Sequence, residues 1–183
     1  MLWEERLLDL FDDLEQQAEG LVLTGRDAEV AEQSRAEYAQ VDLAARLHAS
    51  VGRAVRVEVQ GVGRVEARLV RVGEGWCLLA DGAAEWLVRD AAIASVRGLS
   101  QHGRGVEARP LTARLGLASA LRGVAEARSV VVAHHLDGSS ERGVLGRVGA
   151  DFVELRAGDD PRSPGETEVL PFGALAAVRT SPG

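Results

Sequence analysis

The sequence contains no lysine: all 21 of its basic residues are arginine. It has a single cysteine, Cys77, so no internal disulfide can staple it, and a reducing cytoplasm suits it. Long apolar runs are missing as well. The N-terminal M-L-W-E-E-R-L-L-D-L-F-D-D-L has no basic leader and is broken by acids, so neither a signal peptide nor a membrane span is read there. No G-K-[ST] phosphate loop and no Gly-x-Ser-x-Gly elbow occurs. Gly61-Val62-Gly63 places Glu66 where a dinucleotide loop needs its third glycine, and reads as a hairpin turn. His134 and His135 are neighbours on an expected strand; they point to opposite faces and cannot easily share a metal. Cys77, within W-C-L-L, reads as a buried core thiol, and Asp159-Asp160 as solvated loop carboxylates. No catalytic residue, cofactor or metal is therefore expected, and the chain reads as non-enzymatic.

Charge is unevenly spread. The net charge of −7 divides into −8 over residues 1–50, zero over 51–96, +4 over 97–128 and −3 over 129–183. The basic middle carries Arg104, Arg109, Arg114, Arg122 and Arg128, the one serious cluster for a nucleic-acid or partner contact. It has no interleaved aromatics for base stacking, and the acidic total predicts weak, salt-dependent RNA binding at most. The acidic head could instead attract this segment.

Residues 2–19 have the spacing of an amphipathic helix. Trp3, Leu7, Leu10, Phe11 and Leu14 form its apolar stripe, a candidate association face. Gly20 is a stop signal, and Thr24 with Asp27 has the spacing of a capping box. A second helix is expected from about Gly25 to Ala49, giving a helical hairpin over 1–50.

From Arg53 the period changes to two. Val55, Val57 and Val59 alternate with Arg56 and Glu58. The apolar face of the next strand switches to Val70 and Val72, as a bend or bulge requires. Strands around Trp76, Glu85 and Ile93 complete a set of five over 51–98. Residues 99–111 read as a Gly- and Pro-interrupted linker. A helix is expected from Thr112, followed by five more strands, so that 112–183 repeats the unit. Arg71-Val72-Gly73 matches Arg147-Val148-Gly149 and Trp76 matches Phe152, an offset of 76. Val96-Arg97 matches Val178-Arg179, an offset of 82, the difference being absorbed by the loop Asp159–Gly165.

Asp137-Gly138, Gly143, Asp151-Phe152-Val153-Glu154-Leu155 and the Pro171-Phe172-Gly173 corner resemble the Sm-like barrels, which include the Lsm and Hfq proteins. The resemblance covers residues 112–179 and extends more weakly over 42–97; SH3-like barrels share the strand pattern. It implies an α+β fold in which the helical hairpin precedes two small five-stranded β-barrels, each entered through a helix. Its implied RNA contacts are not matched. Val153 and Glu154 follow Phe152 where the family usually carries a polar amide, and Pro171-Phe172-Gly173 replaces its basic corner. The expected function is a protein-interaction or assembly module with a protein partner, as a monomer or homodimer away from membranes. An RNA-binding Sm-like regulator acting through the arginine segment is the alternative.

Overall fold

The computed structural model describes residues 32, 35, 38–82, 84–101, 103, 111–158 and 166–180. The chain divides into two compact units, Met1–Val41 and Asp42–Gly183. In the first, Glu32, Arg35 and Tyr38 are helical, and the chain turns at Ala39 and Gln40. The helix expected to continue to Ala49 therefore stops here. The rest of the expected hairpin, with its face Trp3, Leu7, Leu10, Phe11 and Leu14, lies outside the described residues.

The second unit opens with a short helix, α1 (Leu43–His48). Asp42 is its N-cap: the carboxylate accepts from the Ala45 N–H at 2.5 Å and satisfies one of the free donors of the first turn. Ten strands follow. They are β1 (Ala54–Val59), β2 (Gly63–Gly73), β3 (Trp76–Ala80), β4 (Glu85–Arg89), β5 (Ile93–Arg97), β6 (Val130–His135), β7 (Ser140–Val148), β8 (Phe152–Ala157), β9 (Thr167–Pro171) and β10 (Leu175–Thr180). A second helix, α2 (Leu117–Glu126), lies between β5 and β6, preceded by a 3-10 turn at Leu111–Arg114. It begins five residues later than the Thr112 start the sequence suggests.

The expectation of two separate small barrels is overturned. All ten strands belong to one sheet, in the order β5-β1-β2-β3-β4-β10-β6-β7-β8-β9, and every neighbouring pair is antiparallel. The halves fuse because β4 pairs directly with β10, Glu85 through Val88 lying opposite Thr180 through Ala177. The internal repeat persists within the single sheet. The first five positions read 5-1-2-3-4, and the last five repeat that order as 10-6-7-8-9.

Local sequence accounts for the strand geometry. The register of β2 on β3 slips between Leu69 and Arg71, the expected bulge; Val72 is buried beyond it, whereas Val70, expected on the same apolar face, is exposed. The tight hairpins after Gly73 and Gly149 also match. A β-carbon on Gly73 would overlap the Trp76 ring, and one on Gly149 would overlap the Phe152 ring, so each aromatic lies flat against bare backbone.

Two cores flank the fused strands. One gathers Leu47, Val57, Leu69, Cys77, Leu79 and Val88, and borrows Ala176 and Ala177 from β10. The other gathers Leu121, Val131, Leu145, Val153, Leu155 and Val178, and borrows Trp76 and Leu87 from β3 and β4. Successive residues of a strand face opposite sides, so β3, β4 and β10 are covered on both. This explains their near-continuous apolar sequence, W-C-L-L and L-A-A-V, where β1 alternates.

Candidate functional site

Helix α2 is held against the first half of the sheet through one backbone carbonyl. Leu115 O accepts from the Glu74 N–H at 3.0 Å and from Trp76 Nε1 at 2.8 Å. Leu121, fully buried, anchors the helix in the second core. The side of α2 turned toward β3 and β4 carries a row of short side chains, Ser119 and Gly123 in the helix, then Ala127 just beyond it, at intervals of four. They leave a groove of about 730 Å³ between helix and sheet. Trp76, Leu78 and Leu87 floor it, Ala120 and Val124 wall it, and Arg71 and Glu85 stand among its polar lining.

The second notable surface is the seam between β4 and β10. Trp86 on β4 stacks on His134 of β6, with ring centroids 5.4 Å apart, and the Arg179 guanidinium lies 5.2 Å from the Trp86 ring. Burial, then the positive charge of Arg179, holds the His134 imidazole below its ordinary value. At the other end of β4, Arg89 Nη1 donates to the carbonyls of Phe172, Gly173 and Leu175, clamping the β9–β10 corner. The β1–β2 turn also abuts the second half: a β-carbon on Gly61, whose φ is +76°, would overlap the His135 carbonyl.

Of the five arginines singled out in the sequence, Arg104 and Arg109 lie outside the described residues. Arg114, Arg122 and Arg128 are exposed. They mark the approach, the middle and the exit of α2, a helix about 15 Å long. Arg122 is not among the residues lining the groove.

His134 and His135 make separate contacts. His135 Nε2 lies 3.8 Å from a Glu141 oxygen, while His134 meets Trp86. Among the described residues no group of three or more metal-ligating side chains forms. Cys77 is fully buried, and burial followed by the charge of Asp90 pushes its thiol up, away from reactivity. Glu154 is gripped by Arg147 at 2.7 and 3.0 Å, and the Arg147 hydrogen bond holds its carboxyl below the usual range.

Sequence reasoning missed the groove and the seam. A glycine inside an otherwise good helix, Gly123, was the available signal for the groove. For the seam it was the loss of alternation in β3 and β10. Among the described residues no helix is long and apolar enough to cross a membrane. No protein-family model matches this chain, and no curated protein matches it.

Proposed function

We propose that the chain is a non-enzymatic protein-interaction and assembly module that engages its partner by strand pairing along the edges of its sheet. One observation carries this reading. Among the described residues, β5 and β9 each have a neighbour on one side only. Their counterparts β10 and β4 use both sides, and pair with each other. An unpaired strand presents a row of backbone donors and acceptors that another strand can satisfy. The β9 edge also presents Val169, a 54 % exposed apolar residue. A cytoplasmic setting agrees with the lone, buried cysteine.

The test is capture of partners from native lysate on the immobilised full chain, with and without nuclease. The reading expects protein capture that survives nuclease and is lost in Arg97→Glu and Val169→Arg, two exposed edge positions. The RNA-binding alternative expects capture that nuclease abolishes and that Arg114→Ala and Arg122→Ala weaken.

A further inference from the structure

The groove beside α2 carries charge of opposite sign at its two ends. Arg71 of β2 lies opposite Leu78 of β3, and Leu78 lies opposite Leu87 of β4. Glu85 stands two residues before Leu87 and opposite Ala80. Residues two apart on a strand share a face, so Arg71 and Glu85 rise on the same side as the apolar floor. Two strand spacings and two residue rises separate them, about 12 Å between Cα atoms. Both side chains are exposed and both line the groove. Among the described residues neither the Arg71 guanidinium nor the Glu85 carboxylate has an ion-pair or hydrogen-bond partner.

The helix runs with the same polarity. It is entered beside Leu115, whose carbonyl accepts from the Trp76 indole. It leaves through Ala127 and Ser129, and Val131 then pairs with Thr180, the strand neighbour of Glu85. The partial negative charge of its C-terminus therefore falls at the Glu85 end. Arg128, just past the helix, lines a different pocket with Arg147 and Arg156. Between the charged ends the groove is apolar. Trp76 and Leu87 are buried beneath it, Leu78 is half-buried, and Leu115 at its mouth is 44 % exposed. Its volume of about 730 Å³ lies within the range of about 300–1,000 Å³ typical of ligand sites.

We infer that this groove binds an extended peptide segment of a partner protein, with an acidic side chain paired to Arg71, a basic side chain four positions away paired to Glu85, and an apolar side chain midway between them. The spacing selects this occupant. In an extended chain, residues i and i+4 project to the same side about 13 Å apart, close to the separation of the two charges. In a helix the same residues lie only about 5–6 Å apart and cannot reach both. Residue i+2 of the extended segment faces the floor between them. A segment of one charge sign would set like charges together at one end. Exposed ion pairs contribute little energy, so the apolar side chain supplies the affinity and the charges supply the selection. The site lies on the face of the sheet, away from β5 and β9, and does not depend on the strand-pairing reading.

The experiment titrates the purified full chain with end-capped peptides in a calorimeter. The probe is Asp-Val-Leu-Val-Lys; the controls are Asp-Val-Leu-Val-Asp, Lys-Val-Leu-Val-Lys and Asp-Val-Ser-Val-Lys. The probe should bind saturably, and at least about tenfold more tightly than either like-charged peptide, because each of those meets one end of the groove with repulsion. The serine peptide should not bind. Arg71→Glu should transfer the preference to the doubly basic peptide, and Glu85→Arg to the doubly acidic one. Gly123→Leu should fill the groove and abolish binding while the protein stays folded, as a thermal melt would check, since a β-carbon there meets nothing. Arg97→Glu and Val169→Arg, at the sheet edges, should leave probe binding unchanged.

Absence of probe binding, equal affinity for all four peptides, unchanged preference in the Arg71 and Glu85 variants, or full binding by a folded Gly123→Leu variant overturns the inference. Equal displacement of the probe by laurate, an apolar chain with a single charge, overturns it in favour of an amphiphile site. Loss of probe binding in the edge variants overturns it by moving the peptide to a sheet edge. Partner capture that depends on Arg97 and Val169 while the probe fails to bind leaves the strand-pairing reading standing alone.

Discussion

Replacing Asp90 by asparagine should stabilise the protein at neutral pH and leave its stability unchanged in acid. Asp90 opens the 3-10 turn between β4 and β5. Its N–H donates to the Gly75 carbonyl at 3.0 Å, but Oδ1 is buried and has no hydrogen-bond partner among the described residues. Burial, and next the negative charge of Asp42, push its carboxyl up from 3.8 to about 6. Below about pH 4 both folded and unfolded chains carry the proton, and Asp90 imposes no charge penalty. Between about 4 and 6 only the folded chain holds the proton. Stability is then lost as pH rises, and the loss is complete above about 6. A gap of roughly two pH units at about 1.4 kcal/mol each sets a ceiling near 3 kcal/mol. Since part of the carboxyl still meets water, about 1–2 kcal/mol is the expected gain. Asparagine keeps the shape and never ionises. Urea unfolding of both proteins at pH 4, 5, 6 and 7.5, with equal m-values, should show curves that coincide at pH 4 and separate progressively to pH 7.5. The difference between the proteins is the diagnostic quantity, because His134, held low, erodes stability in the opposite direction as pH falls through about 6.5. A constant difference at all four pH values, or an asparagine variant that is weaker at pH 7.5, would refute the assignment of the cost to a buried charge.

Three further outcomes are expected. Trp76→Ala should cost about 3–5 kcal/mol, as for a buried core aromatic, since Trp76 is 4 % exposed and bonded to Leu115. Phe152→Ala should cost about half as much because Phe152 is only partly buried, which thermal melts of the two variants would compare directly. Gly73→Ala should destabilise by about 1–3 kcal/mol through overlap with the fixed Trp76 ring, and Gly149→Ala by less, because the Phe152 ring has room to move. Gly123→Ala should raise stability by up to about 1 kcal/mol, as a β-carbon there meets nothing; a loss would show that the groove is tighter than its lining implies.

Most strand positions were legible because they depend on near neighbours. Alternation located β1, the hairpin glycines located its turn, and the switch of apolar face between Leu69 and Val72 foretold the bulge, although Val70 was placed on the wrong face. The repeat was legible as the offsets of 76 and 82, and the correspondences Trp76 with Phe152 and Arg97 with Arg179 hold in the strand order. The helix boundaries were less so: the stretch expected to run unbroken to Ala49 turns at Ala39–Gln40 and restarts under the Asp42 cap, because a local carboxylate competes for the backbone there. The separation into two barrels was misread for a different reason. Nothing local in E-W-L-V-R names L-A-A-V-R, some 90 residues later, as its neighbour, since strand pairing is settled by which faces remain to be buried once the chain has closed on itself. The trace left in the sequence is compositional. β10 reads L-A-A-V and is buried throughout, whereas its counterpart β5 reads I-A-S-V and is partly exposed. Burial on two faces demands small and apolar residues, and an open edge tolerates serine; the choice between them was made by long-range packing.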